Sequence, residues 1–274
     1  MMKKAVLVFF LIIGTLQVFA SIDTVLVYSK SMNKSIKALV LKPASYSRNT
    51  PLPVVYLLHG HGANYMQWLN NAPSLVQQEN EMNSIFVLPD GGFNSWYFDS
   101  PINPAVRYES FIVKELVPFI DSAYATKKDK NFRAITGLSM GGHGAFYIAM
   151  RNQSVFGSAG SVCGGLDIRP FPNNWQINQL LGSIQEFPEN WEKYTVINLI
   201  DSLDVSNLNL IFDCGLSDFF LNVNRAMHQK LLDKKIPHEY TERPGNHNPA
   251  YWGNSIDFQL LYFNKLFKKQ ASQS

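Results

Sequence analysis

The residues best suited to chemistry are a serine, a histidine and an aspartate that lie far apart in the chain. Gly137-Leu138-Ser139-Met140-Gly141 has the G-x-S-x-G spacing of a nucleophile elbow. There the serine sits on a tight strand-to-helix turn, and flanking glycines let backbone segments crowd without Cβ clashes. An apolar run at 132–136 precedes the motif and an Ala/aromatic run at 145–151 follows it, so the context reads strand, turn, helix. The helix N-terminus favours developing negative charge. A serine hydroxyl is a poor nucleophile until a base takes its proton. Of the six histidines, His247 follows the last expected strand, in Gly245-Asn246-His247-Asn248-Pro249, where a chain ordered serine, acid, histidine places its base. His143 shares the serine's helix and points along it. His59 and His61 end an earlier strand, His228 falls in an exposed helix, and His238 lies within the last strand.

The acid must orient the imidazole and stabilise its charged form. Asp218 stands beyond the end of the penultimate strand, free to reach across, whereas Asp213 is still within the strand end and reads as structural. The developing oxyanion needs two backbone N–H donors. Met140, directly after the serine, supplies one. His61, in the turn His59-Gly60-His61-Gly62, supplies the other. A metal at His59-x-His61 is disfavoured because no third ligand is placed to complete it. No metal and no cofactor is expected.

Period-two alternation at 24–28 and 36–41 predicts an antiparallel strand pair joined by the polar turn 30–34. Continuous apolar runs at 54–58 and 84–88 predict strands buried on both faces. Further strands are expected at 132–136, 158–163, 208–214 and 236–242, with helices over 106–124, 145–151 and 251–268. Strands alternating with helices imply an α/β fold, its mostly parallel sheet covered on both faces. The stretch 166–206 is long for a connection and carries Pro170, Pro172, Pro188, Trp175 and Trp191. It reads as a partly helical insertion beside the active face. No repeat or linker divides residues 21–274, which form one domain.

Residues 1–20 carry Lys3-Lys4, an apolar run from Ala5 to Val18, and small residues at the −3 and −1 positions of a cleavage site after Ala20. This is the pattern of a signal peptide, and the run is short for a bilayer span. The chain is therefore expected to be exported, periplasmic or secreted, with no stable membrane insertion once the signal is removed. The formal charge is +3. Without Lys3 and Lys4 it is about +1, which leaves no electrostatic footprint for nucleic acid. Cys163 and Cys214, both near strand ends, read as neighbouring buried thiols rather than a bridge.

Seven stretches resemble, in order, the esterase D-like family of α/β-hydrolases: LLHGHGANYMQW (57–68), VLPDGG (87–92), WYFDSP (96–101), YESFIVKELVPFID (108–121), GLSMGGHGAF (137–146), DCGLSDFF (213–220) and PGNHNPAYW (244–252). That family includes S-formylglutathione hydrolases, tributyrin-type esterases, feruloyl and acetylxylan esterases, and the antigen 85 mycolyltransferases. The resemblance implies the α/β-hydrolase fold, the triad Ser139, Asp218 and His247, and His61 and Met140 as oxyanion donors. Asn248 departs from the family, many of whose members carry an acid there. The expected reaction is hydrolysis of a carboxylic ester, of small-molecule or oligosaccharide type, through an acyl-serine intermediate. Trp96, Trp175 and Trp191 offer stacking faces for sugar rings, unless they fill the core. An acyltransferase using an alcohol acceptor shares the same machinery. A carbohydrate-binding protein on a hydrolase scaffold would have no need of an intact triad.

Overall fold

A computed structural model describes residues 21–273; the expected signal peptide lies outside them. The strands are β1 (Ser21–Ser29), β2 (Lys34–Lys42), β3 (Val54–Leu58), β4 (Ile85–Pro89), β5 (Arg133–Gly137), β6 (Ser158–Val162), β7 (Asn209–Gly215) and β8 (His238–Arg243). They form one sheet in the order β1-β2-β4-β3-β5-β6-β7-β8. β1 and β2 are antiparallel, β2 meets β4 antiparallel, and all pairs from β4 to β8 are parallel. Every residue of β3, β4, β5 and β6 is buried, as continuous apolar runs require when helices cover both faces. β1 is an edge strand, with Val27 inward and Ile22, Leu26 and Tyr28 exposed.

The helix expected over 106–124 is present but not uniform. It runs through α3 (Tyr108–Ser110), a π-helical turn Phe111–Leu116, and α4 (Val117–Ala123). Pro118 stands in the first turn of α4, and a proline there removes an N–H that a regular α-helix would use. The helix expected from 145 begins five residues earlier, as α5 (Met140–Arg151). Gly141, Gly142 and Gly144 hide it from propensity, yet α5 is buried from Met140 to Met150, so tertiary contact holds it. Two short helices missing from the sequence reading, α1 (Gln67–Asn71) and α2 (Leu75–Met82), follow β3.

The 166–206 stretch carries α6 (Asn178–Leu181), α7 (Pro188–Tyr194) and α8 (Val196–Ser202). Then come α9 (Leu221–Asp233) and α10 (Pro249–Ala271). Asn248 begins α10 as its N-cap, its side chain accepting from Tyr251 N at 3.1 Å, so either an amide or an acid serves at that position. The chain leaves β3 for β4 on one side and later returns to β5 on the other. This is a topological switch point, and the crevice lies beyond the C-terminal ends of those strands.

Candidate active site

Three loops beyond the C-terminal ends of β5, β7 and β8 bring Ser139, Asp218 and His247 together. Asp218 Oδ2 lies 2.7 Å from His247 Nδ1, and His247 Nε2 lies 2.9 Å from Ser139 Oγ. A carboxylate only accepts, so the ring proton sits on Nδ1 and Nε2 is free to accept from the serine hydroxyl. The other Asp218 oxygen accepts from Phe220 N at 2.8 Å, which fixes the carboxylate.

Ser139 has φ 55° and ψ −116°, a conformation that costs about 1–3 kcal/mol for a non-glycine residue. Its surroundings over-determine it: Ser139 N donates to Val162 O at 2.9 Å and Gly141 N to Leu138 O at 2.7 Å. A Cβ on Gly141 would fall 2.4 Å from Leu58 O, and one on Gly137 2.4 Å from Gly141 C. The motif's glycines are thus forced by backbone packed on backbone. Ser139 N and Gly141 N are spent in these bonds, and Gly62 N donates to Phe93 O at 2.7 Å. Among the described residues, the N–H groups of His61 and Met140 between them make no such bond. One donor directly follows the nucleophile and the other lies in the turn after β3, and two such unspent N–H groups are candidates for an oxyanion site.

Burial opposes the charged form of His247, but Asp218 and the adjacent Cys163 sulfur outweigh it and raise the ring to about 9. The sulfur's share requires a thiolate. Burial pushes the Cys163 thiol far up, so Cys163 stays neutral and Asp218 is the charged group that holds the ring up. Together the three groups can deprotonate a hydroxyl, hold an acyl group on it, and return the proton to a leaving alcohol.

Residues 29–263 match the family described as Putative esterase. The chain belongs to this family. It is 25% identical over 265 residues to an acetyl esterase of Caldicellulosiruptor saccharolyticus, covering 87% of this chain and 96% of that protein. It is 32% identical over 157 residues to an endo-1,4-beta-xylanase/feruloyl esterase of Xylanibacter ruminicola, covering 53% of this chain and 22% of that longer protein. A solved ferulic acid esterase superposes with TM-score 0.79 at 25% identity, over 92% of this chain and all of that one. These likenesses and the sheet order make this an α/β-hydrolase and an ester hydrolase.

The other histidines of the esterase are engaged elsewhere. His59 accepts from Gly91 N at Nε2 (2.7 Å) and faces Gly60 O at Nδ1 (2.8 Å), so neither nitrogen has a lone pair to spare. The His61 ring packs edge-on to Phe93, with centroids 4.9 Å apart, and burial lowers its pKa. His143 is fully buried between Trp96 O (3.2 Å) and Tyr194 O (3.0 Å). Burial draws it down to about 4 against the pull of those carbonyls, so the ring is neutral and its single N–H donates to one of the two. His228 and His238 bond one another at 2.7 Å, away from the serine.

The expectation for Trp96 needs correction. The residue has φ 51° and its ring is 1% exposed, turned into the core over Gly165, so it has no free face for a sugar. Trp191 is core too, donating from Nε1 to Gly182 O at 3.0 Å. Trp175 is half-buried and stacks on Phe219, centroids 5.6 Å apart and planes at 26°. Trp96 backs it at 5.8 Å. Phe219 itself is exposed and 4.3 Å from the His247 ring. Phe219 backed by Trp175 therefore forms an exposed aromatic surface beside His247. Phe219 was missed by sequence reasoning, although its place directly after Asp218 was the available signal.

Proposed function

We propose that this esterase is an exported serine carboxylesterase that removes short acyl or feruloyl groups from carbohydrate through an acyl-Ser139 intermediate. The observation that carries the mechanism is the unbroken hydrogen-bonded line Asp218–His247–Ser139. His247 Nε2 takes the Ser139 proton as Oγ attacks the ester carbonyl, and Asp218 stabilises the imidazolium so formed. The N–H groups of His61 and Met140 receive the oxyanion. Collapse expels the alcohol with the proton from His247. Water, deprotonated by the same ring, then attacks the acyl-serine and releases the acid.

Support for the substrate class comes from the acetyl- and feruloyl-esterase relatives and from the exposed Phe219 face beside His247. An aromatic face suits a planar acyl group or a sugar ring. The test is to assay the protein lacking residues 1–20, and its Ser139→Ala variant, on p-nitrophenyl acetate, butyrate and octanoate and on acetylated and feruloylated xylo-oligosaccharides. Turnover lost in Ser139→Ala, with preference for the xylo-oligosaccharide esters, is expected. Absence of turnover with no fluorophosphonate labelling of Ser139 would overturn the reading. Labelling without turnover would point instead to an acyltransferase awaiting its alcohol.

A further inference from the structure

Beside the triad lies a second set of ligand-type atoms. The β6–β7 ladder pairs Val162 with Asp213, so Cys163, just past the end of β6, and Cys214 in β7 follow as neighbours. Both are free thiols and fully buried. The two sulfurs and a carboxylate oxygen of Asp218 all lie within 4.8 Å of one another. Ester hydrolysis as described above calls on only one of the three, Asp218.

We propose that Cys163, Cys214 and Asp218 form a site for a thiophilic divalent cation of the Zn²⁺ class, and that filling it switches the esterase off. The switch, though not the site, rests on the role assigned to Asp218 above. Two thiolates and a carboxylate are a zinc-type donor set, with metal–sulfur bonds near 2.3 Å and metal–oxygen bonds near 2.0–2.2 Å. Around a tetrahedral ion such donors stand ~3.5–3.8 Å apart, so the present cluster has to contract by no more than ~1.3 Å. On binding, each thiol releases its proton to solvent and its sulfur lone pair bonds the cation. No oxidant or reductant is needed. The two thiolates and the carboxylate more than neutralise the ion's charge, and water or His247 can fill the fourth position.

The consequence for catalysis follows from the hydrogen bonds of Asp218. One oxygen holds Phe220 N and the other holds His247 Nδ1. A cation that takes the second oxygen leaves the imidazole without its acceptor, and the ring loses both the tautomer and the orientation that Ser139 requires.

The test titrates reduced protein with Cd²⁺, whose bonds to thiolate give an ultraviolet charge-transfer band that oxygen and nitrogen sites lack. One Cd²⁺ per chain with that band is expected in the wild type and equally in Ser139→Ala, which needs no turnover to report. Wild-type hydrolysis should fall in step with the band and return on chelation. In Cys163→Ala and Cys214→Ala the band should vanish. Half-inhibition, measured against each variant's own rate, should need more extra cation than the ~10–100-fold that loss of an outer-shell partner costs. Should either variant fail to fold, X-ray absorption at the Cd edge of the loaded wild type must show two sulfur neighbours. Absence of the band, its survival in Cys214→Ala, or fewer than two sulfur neighbours would overturn the site. Inhibition that persists in the variants would place the cation elsewhere, as at His228 and His238. A band without inhibition would overturn the switch. A band in a protein that hydrolyses no ester would leave the site standing and sink the proposed function instead.

Discussion

Replacing Ser139 with alanine removes the atom proposed to carry the acyl group, and kcat/KM should fall by about 10⁴-fold or more. Asp218→Asn keeps the shape but offers His247 Nδ1 the wrong partner, and should lower kcat by ~10⁴-fold. The pH profile separates these two losses. Asp218 raises the His247 pKa, so below that value the ring is protonated and cannot act as base. Activity should therefore climb with pH along a limb that lies above the ordinary histidine value of 6.5. In Asp218→Asn burial is left unopposed, and the limb should move down. A limb that stays in place in the variant would remove Asp218 as the orienter. The triad was legible at this scale because the chemistry demands particular residue types in a particular chain order. Trp96 was not, because its backbone φ of 51°, invisible in a residue's type, decides which way the ring faces.

The strand-to-helix elbow depends on close backbone contact between β3 and α5. Gly141→Ala would place a Cβ 2.4 Å from Leu58 O and 2.6 Å from His59 O, and neither carbonyl can rotate away as a side chain would. We expect a loss of ~1–3 kcal/mol in urea unfolding, with a fall in kcat as Met140 N–H is displaced. Helix α2 carries a different liability. Glu79 is fully buried, both its carboxylate oxygens lack a hydrogen-bond partner, and burial raises its pKa to about 8. The folded state thus keeps a proton that the unfolded chain releases near 4.5, and stability falls as pH rises from there to about 8. Glu79→Gln should flatten that slope, its gain in Tm being greater at pH 8 than at pH 5. An equal gain at both would refute the assignment. Every strand was legible within a few residues, since a buried strand is a short apolar run and a half-exposed one such as β1 alternates with period two. The starts of α1, α2 and α5 were not, because contact rather than propensity holds those helices.

Across the whole molecule, a buried polar network ties α10 to the sheet. Asp213 in β7 accepts from Arg243 of β8 at 2.9 Å, from Ser255 of α10, and from Gln259 of α10 at 2.8 Å. Gln259 in turn receives Thr136 of β5. Burial pushes the Asp213 carboxyl up, and Arg243 and the other donors pull it back. Arg243→Met would strand that carboxyl, and we expect a cost of about 3–5 kcal/mol in urea unfolding. The double variant with Asp213→Asn should recover part of it. Asp213 was legible as structural because it stands inside the strand end, whereas the partners that make it so come from two other elements, β8 and α10.

The sequence by itself determined the fold class, the chain order of the catalytic groups and the oxyanion candidates, because side-chain periodicity, turn glycines and the serine–acid–histidine order are local properties of the chain. Only the tertiary structure decided that Ser139 and His247, 108 residues apart in sequence, meet at 2.9 Å. It also decided that Phe219 backed by Trp175 forms an aromatic surface beside His247, and that two thiols lie against the acid. Those outcomes depend on which strands become neighbours and which way each loop turns, and that is settled by packing many distant residues at once.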